Sequence, residues 1–345
     1  MSKVQIDTYG GYEQLKLIEC VPQAPAPDQV QIKVFAAGIN YADCIVRMGL
    51  YRSARELVGL PITPGFEVSG IVSAVGDQVT QFTVGDEVMA VTFFGGYASF
   101  ITVDQAYVFS KPSDYSFIEA AGSIATFLTA HYGLVQLANP RLGEKVLIHS
   151  AAGGVGMVLV QLAHHLALEV TGVVGTSHKT EILASLGPAH IIDKQSDDLW
   201  SRARAIAPEG YDLIFDANGV STLNQSYEHL RRPGKLVIYG FASMLPKSKG
   251  RVNWFKLARA YLQTPKFNPL TMTTMSKSVL AFNLSYLFER TDILHESMHV
   301  FNELVEKGTL KPPLCQTFPI EEVQAAHRAI ESGETTGKLI LTFDA

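Results

Sequence analysis

The sequence predicts an α/β protein in which a doubly wound parallel sheet is joined to a β-rich domain. Three observations predict it. A glycine-rich turn, "HSAAGGVG" (His149–Gly156), stands between an apolar strand and a helical pattern. From Lys145 onward strands and helices alternate, and continuous apolar strands separated by helices belong to a parallel sheet covered on both faces. Ahead of them, the first third carries short alternating runs punctuated by Gly and Pro, the pattern of a small barrel or sandwich.

In the first third the strands are "VQIKVFAAGIN", "EVSGIVSAVG", "GDEVMAVTF" and "YASFITVD". Near Ser116 the period changes. "SFIEAAGSIATFLTAHYGLVQLA" spaces its apolar residues as a helix does, with Ser116 and Glu119 placed as a capping box. Then follow "KVLIH" as strand, "VGMVLVQLAHHL" as helix, "EVTGVVG" as strand, "KTEILASLG" as helix, "HIID" and "YDLIFDAN" as strands, "STLNQSYEHLRR" as helix and "GKLVIYG" as strand. A last strand of this series falls on "VLAFNLSYL", and two helices and a closing strand end the chain. Residues 243–278, with Pro246, Pro265 and Pro269, are the least regular and read as a long insertion.

Composition narrows the class. With 345 residues, 47% hydrophobic and 18% charged, the chain is globular and long enough for two domains. A net charge of −5 without a basic stripe gives nucleic acid no footprint. The first residues lack the apolar stretch of a signal peptide, and the most apolar run is broken by Glu119 and His131, so a soluble cytoplasmic protein is expected. Cys20, Cys44 and Cys315 form no CxxC, and Cys44 reads as a buried small hydrophobe rather than a reactive thiol. His295 and His299, four apart, read as exposed or core histidines because no Glu-x-x-His signature accompanies them.

The turn carries the first functional reading. Ala151, Gly153 and Gly156 match G/A-x-G-x-x-G after a strand and before a helix. There glycine permits a tight turn, close approach of a pyrophosphate, and close strand–helix contact, while the helix N-terminus offers N–H groups to the phosphates. Ala152, Gly153, Gly154, Val155 and Gly156 are therefore expected to bind a dinucleotide. An acid that would hold the ribose hydroxyls is absent from the end of the second strand, where Thr176, Ser177 and Lys179 stand, and a hydroxyl with a cation there suits the 2′-phosphate of NADPH.

"AAGGVG" after a β-rich N-terminal domain resembles the medium-chain dehydrogenase/reductase superfamily, and "NYADCIVRMGLY" with "PITPGFEVSGIVSAVGDQVTQFTVGDEVM" is similar to its quinone oxidoreductase branch. Within that branch, "GKLVIYGFASML" and "WFKLARAYLQTPKFNPLTMTTMSKSVLAFNLSYL" resemble the vesicle amine transport protein group. The resemblance implies a GroES-like, partly open barrel domain over 1–123 and 290–345, and a Rossmann-type domain over 124–289. It also implies a homodimer formed through the edge strand of the cofactor-domain sheet.

By the same likeness Asn40 and Tyr51 match positions lining the nicotinamide and substrate cleft. Tyr51 there either donates a hydrogen bond to the acceptor oxygen or holds the cofactor. Thr129, Asn218, Gly240, Phe241, Phe282, Asn283 and Leu284 match cofactor-binding positions, and Lys194 stands where the branch often has a tyrosine beside the 2′-phosphate. Asp43 and Arg47 read as an ion pair supporting the loop.

Zinc enzymes of this superfamily use a cysteine in the first loop and the histidine of "GHE". Here the loop is "AAGIN" and the second motif is "GFE", with Phe66, so no metal is expected. Without a Lewis acid the expected chemistry is hydride transfer from NADPH to a quinone or related conjugated carbonyl, the small-molecule partner. Reduction of an enone or enoyl C=C bond is the alternative enzyme reading. A lipid- or membrane-associated binding protein is the alternative outside catalysis, resting on the aromatic-rich 252–290 stretch, for which core and dimer burial is the favoured reading.

Overall fold

The structure, a computed structural model, describes residues 1–244, 250 and 252–344. Strands β1 (Ser2–Gln5), β2 (Lys16–Glu19) and β3 (Gln29–Ile39) lead to helix α1 (Tyr41–Arg47). Then come β4 (Glu67–Val75), β5 (Glu87–Val91), β6 (Phe100–Asp104), β7 (Val108–Ser110) and α2 (Phe117–His131). The alternating part runs β8 (Lys145–Ile148), α3 (Gly154–His165), β9 (Glu169–Val174), α4 (Thr180–Ala184), β10 (His190–Asp193), α5 (Leu199–Ile206), β11 (Tyr211–Asp216), α6 (Leu223–Glu228) and β12 (Leu230–Ile238). Helices α7 (Trp254–Gln263) and α8 (Pro269–Met275) precede β13 (Lys277–Ala281). Helix α9 (Thr291–Glu306), β14 (Cys315–Pro319), α10 (Val323–Ser332) and β15 (Lys338–Thr342) close the chain. Two compact units result: Met1–Thr126 with Lys247–Arg251 and Ser285–Ala345, and Phe127–Pro246 with Val252–Leu284.

In the first unit seven strands form one sheet in the order β14-β15-β3-β4-β5-β7, with β6 also on β3. Strand β3 is long enough to serve two partners on one edge: β6 takes Gln29–Lys33 and β15 takes Ala36–Ile39. Register shifts along β3 bend the sheet there, giving the partly open GroES-like barrel. Its alternation in the sequence is matched by alternating burial, with Val30, Ile32 and Val34 inside. In the second unit all six strands are parallel, in the order β10-β9-β8-β11-β12-β13, the Rossmann-type arrangement. All six residues of β11 are buried, because helices cover both faces.

Helix α2 starts where the capping box places it: Ser116 N donates to Glu119 Oε2 (2.8 Å) and Glu119 N to Ser116 Oγ (3.2 Å). Two boundaries differ from the sequence reading. Leu230–Arg232 leave the helix pattern and open β12, because Leu230 pairs with Tyr211 of β11 and is buried. The strand placed on "VLAFNLSYL" stops at Ala281, whose partner Ile238 is the last residue of β12, and Leu284–Glu289 turn into a 3₁₀ helix. The irregular 243–278 stretch contains two regular helices, α7 and α8; Pro246 lies outside the described residues.

A polar knot buried in the first unit corrects the Asp43–Arg47 pairing. Arg47 instead donates to Glu331 Oε1 (2.7 Å), both side chains being fully buried. It also donates to the Gly250 carbonyl (3.2 Å) and lies 4.4 Å from the centre of the Tyr12 ring, whose hydroxyl donates to Glu331 Oε2 (2.6 Å). Asp43 accepts from Asn40 N, Gly65 N and Tyr97 Oη (2.8, 2.8 and 3.0 Å). Burial pushes the Asp43 carboxyl up to about 7, against these donors. His327, held neutral by burial and the neighbouring Arg47, lies with Nε2 3.3 Å from Tyr97 Oη and Nδ1 3.4 Å from Arg47 Nη1. The network therefore assigns its proton to Nε2.

Removing one partner of a fully buried pair leaves a stranded charge, at about 3–5 kcal/mol. Arg47→Met is expected to destabilise the protein by about that amount in denaturant melts, and Arg47→Met with Glu331→Met to restore most of the loss.

Candidate functional site

The site begins where β8 ends. Val146, Leu147 and Ile148 are fully buried between β9 and β11, and the chain must then reverse into α3. Ser150 takes a left-handed conformation (φ 54°), an uncommon one for a residue with a side chain. Gly153 N bonds to Ser150 O (2.9 Å), and Gly153 is the N-cap of the twelve-residue helix. A Cβ on Gly156 would lie 2.4 Å from Ser150 O and 2.7 Å from Ala151 Cα, so only glycine lets the helix start sit on the turn. Among the described residues no side chain caps this helix, so its first N–H groups have no partner within the helix or from a cap.

The strand order places this turn at a switch point. From β8 the sheet grows through β9 and β10 on one side and through β11, β12 and β13 on the other. Open α/β sheets bind ligands at the carboxyl ends of strands where the order reverses. There Ser150 Oγ donates to Asn218 Oδ1 (3.1 Å), linking the ends of β8 and β11. Below them, Asp216 Oδ1 accepts from Asn218 N and Gly219 N (2.8 and 3.0 Å) and Oδ2 from Ser226 Oγ (2.8 Å). Ser226 has spent its one proton, so fully buried His149 donates from Nε2 to Ser226 Oγ (3.1 Å) and is neutral. Burial lowers its pKa to about 4 despite the nearby Asp216.

Most residues singled out from the sequence meet at this edge of the second unit. Ala152, Gly153, Gly154, Val155 and Gly156 form the turn and the first residues of α3. Thr176, Ser177 and Lys179 follow β9; Lys194 follows β10; Asn218 follows β11; Gly240 and Phe241 follow β12; Phe282, Asn283 and Leu284 follow β13. Gly240 and Phe241 lie against Ala217 and Gly219. Phe282 stacks on Tyr239 and meets Tyr132 edge-on (6.4 and 5.0 Å). Thr129 is carried by α2 rather than by a strand end. Among the described residues, two buried polar atoms at these strand ends, Thr176 Oγ1 and Asn218 Nδ2, find no hydrogen-bond partner, and neither does His149 Nδ1 beneath them. Buried polar groups are nearly always paired, so orphans around a glycine turn fit a polar ligand lying across it.

Asn40 and Tyr51 lie in the first unit, either side of α1, and both are anchored on Phe66–Glu67. Asn40 Nδ2 donates to Glu67 Oε1 (2.9 Å), and its Oδ1 accepts from Lys338 Nζ (2.6 Å). Lys338 also pairs with Glu67 Oε1 (2.6 Å), and Ala125 N donates to Glu67 Oε2 (2.9 Å). The Tyr51 ring lies on Phe66 and Phe94 (5.7 and 6.1 Å), with its hydroxyl 2.8 Å from Ser285 Oγ.

The sequence reading missed Lys338, His149 and Asp216. Nothing in "TGKLILTF" announces a buried ammonium, since a lysine at a strand start is ordinarily solvated. Cys44, His327 and Glu331 bring donor atoms within 4.8 Å of one another. The Arg47 guanidinium already occupies the face of Glu331 and His327, which repels a metal cation. Cys44 is fully buried as expected, and burial raises its thiol pKa. His295 bonds to the Ala106 carbonyl (2.9 Å) and His299 pairs with Glu303, so the two do not converge.

A GroES-like barrel with a Rossmann-type sheet whose glycine turn sits at the switch point defines the medium-chain type of oxidoreductase. Residues 26–113 match the model of the alcohol dehydrogenase GroES-like domain, and residues 186–341 that of the zinc-binding dehydrogenase. The synaptic vesicle membrane protein VAT-1 homolog of Rattus norvegicus is 35% identical over 96% of this chain and 82% of its own length. The crystal structure of Escherichia coli quinone oxidoreductase complexed with NADPH superposes with a TM-score of 0.86, at 28% identity, over 99% of this chain and all (100%) of that one. CurK enoyl reductase does so at 0.84 and 30%, over 99% of each chain. The chain belongs to the medium-chain dehydrogenase/reductase superfamily, in its quinone oxidoreductase-like branch.

Gly156→Val is expected to force the turn off the helix start and to lower the melting temperature by several degrees, while His165→Ala, at an exposed position of the same helix, shifts it by less than one. Unfolded His149 takes up a proton below about 6.5 whereas the buried residue waits until about 4. Stability is therefore expected to fall as pH drops through that window and to be unaffected by this residue above it. The His149→Gln variant should lose that part of the slope in thermal melts from pH 7.5 to 4.5.

Proposed function

We propose that the protein is an NADPH-dependent, zinc-independent reductase that delivers hydride to quinones or related conjugated carbonyls. The observation that carries this is the glycine turn at the switch point, linked to Asn218 and flanked by two orphaned polar atoms. The NADPH-bound quinone oxidoreductase of the same fold supports the choice of cofactor. Bound there, the cofactor supplies the hydride. The chain's part is to hold the pyrophosphate on the N–H groups of Gly153–Gly156, to keep the site dry, and to align the acceptor. Thr129, Gly240, Phe241, Phe282, Asn283 and Leu284 belong to the nicotinamide side of this reading, and Thr176, Ser177, Lys179 and Lys194 to the adenosine side.

Zinc independence rests on the donor set. Phe66 offers no lone pair. Glu67 is saturated by Asn40, Lys338 and the Ala125 amide, so a buried ammonium stands where a metal would need an anion. With one amide hydrogen left, Asn40 acts mainly to hold the loop, and Tyr51, whose hydroxyl shares a hydrogen bond with Ser285 Oγ, either donates to the acceptor oxygen or holds the cofactor. Enone or enoyl reduction is the second enzymatic reading, supported by the likeness to CurK enoyl reductase. A homodimer through β13, an edge strand of the parallel sheet, is part of the same proposal.

A membrane-surface role has its own observation. In the single chain α7, the start of the aromatic-rich stretch, has no buried residue, and Trp254, Phe255, Tyr261 and Leu262 are 66–92% accessible. From His229 to Phe288 the sequence has ten Lys and Arg and no Asp or Glu, in a chain of net charge −5. An apolar, basic, acid-free helix suits an anionic lipid surface. Among the described residues no helix is long and apolar enough to cross a membrane.

Purified protein is expected to oxidise NADPH in the presence of an ortho-quinone, followed at the absorbance of the reduced nicotinamide. Activity on a simple enone alone would move the assignment to C=C reduction. Binding of neither nucleotide, with flotation on phosphatidylserine vesicles but not on phosphatidylcholine, would replace the enzyme with a lipid-binding protein.

A further inference from the structure

The acid missing from the end of β9 is supplied in space by the neighbouring strand. Strand β10 pairs in parallel with β9 in a register that sets Asp193 beside Val174, the last residue of β9. From there the Asp193 carboxylate reaches forward to Ser177, whose Oγ lies 2.5 Å from Oδ2. Asp193 Oδ1 accepts from Gln195 N (2.9 Å), and Gln195 Oε1 in turn holds Ser177 N (3.2 Å). These contacts clamp the two strand ends into one fixed surface at the place where an adenosine ribose lies in sheets of this kind.

The chemistry of that surface follows from counting protons. The hydrogen bond from Ser177, with the backbone bond from Gln195, holds the Asp193 carboxyl below its ordinary value, so it is ionised at neutral pH. A carboxylate has no proton to give, so the proton in the contact is that of Ser177. Ser177 Oγ is left with lone pairs only. It can accept from a ribose hydroxyl, but it cannot donate to a phosphate, and a phosphate placed there also meets the negative charge of Asp193. The opposing pull comes from the ammonium groups of Lys194, exposed at the end of β10, and of buried Lys179, two residues beyond Ser177. A second carboxylate, Asp197, accepts from Asp193 N (3.3 Å) and adds to the negative side.

We propose that Asp193 is the coenzyme-selecting residue of this chain: through Ser177 it turns the ribose contact into an acceptor pair that favours a 2′-hydroxyl, and so narrows the preference for a 2′-phosphate that the lysines create. The proposal rests on the dinucleotide site argued above and deepens it. Wild-type protein then binds NADP⁺ and NAD⁺ with affinities within about tenfold of each other. Asp193→Asn removes the anion and gives Ser177 back its freedom to donate. Ser177→Ala removes the acceptor.

The test is calorimetric titration of wild type, Asp193→Asn and Ser177→Ala with NADP⁺ and with NAD⁺, each protein first checked for a cooperative melt. The ratio Kd(NAD⁺)/Kd(NADP⁺) is expected to rise at least tenfold in Asp193→Asn and about threefold in Ser177→Ala, since both changes weaken the hold on a hydroxyl or relieve repulsion of a phosphate. A ratio unmoved in Asp193→Asn, or one that falls in Ser177→Ala because the serine was donating to the phosphate, overturns the proposal while leaving the nucleotide site standing. If Asp193→Asn does not fold, the sign of the Ser177→Ala change decides alone. No binding of either dinucleotide to wild type overturns the site itself and this inference with it.

Discussion

Everything in the second unit depends on how closely a helix can begin against the strand that precedes it. The Gly156 position leaves no room for a Cβ between α3 and the Ser150–Ala151 backbone. That approach aims the uncapped N–H groups of α3 over the end of β8. At the head of the same turn Ser150 is left-handed, and its hydroxyl donates to Asn218 on the next strand. The parallel sheet then does the rest. Six strands deliver their carboxyl ends to one edge, so residues spread from Ala152 to Leu284 come to line a single rim. Beneath it the His149–Ser226–Asp216 chain fixes the turn after β11 without exposing a charge, since His149 is neutral and Asp216 is met by backbone and hydroxyl donors.

The first unit solves a different problem. Its barrel has to hold a loop, Asn40–Tyr51, whose position is set by buried charges rather than by apolar contacts alone. Asp43 caps α1 and ties it to Gly65; Arg47, one turn on, is bound to Glu331 at the far end of the chain; Lys338 and Glu67 grip Asn40. Buried ions cost much to desolvate, and each here is met by several partners, the condition under which such ions are tolerated. At Phe66–Glu67 the chain sets an aromatic ring beside an internal ion pair, Glu67–Lys338, which leaves no free donor set for a metal in the proposed reading. That is why the proposed chemistry is confined to acceptors that need no Lewis acid.

What the sequence revealed and what it hid divide along a physical line. Strand–helix alternation, the glycine turn and the capping box at Ser116 are local patterns, and local patterns are written in neighbouring residues. The pairing of Arg47 is not, because its partner lies 284 positions away and Asp43, four residues off on the same helix, was the nearer acid. Asp193 escaped notice for the same reason: it is 16 residues from Ser177 in the chain but one strand away in the sheet. Helices α7 and α8 were hidden because Pro246, Pro265 and Pro269 break the stretch into pieces too short to show a period, and the sequence does not say what covers the aromatic face of α7, which is open in the single chain. The end of β13 was misplaced because an edge strand stops where its one partner stops.

The measurement that bears most directly on this account is hydrogen–deuterium exchange across residues 149–157 with and without NADPH. If the turn and the first turn of α3 cradle the pyrophosphate, amides of Gly153–Gly156 become strongly protected on binding, and peptides from the ends of β9 and β11 follow. If NADPH binds while these amides exchange unchanged and protection appears elsewhere, the turn is a structural bend and the site has been assigned to the wrong edge of the sheet.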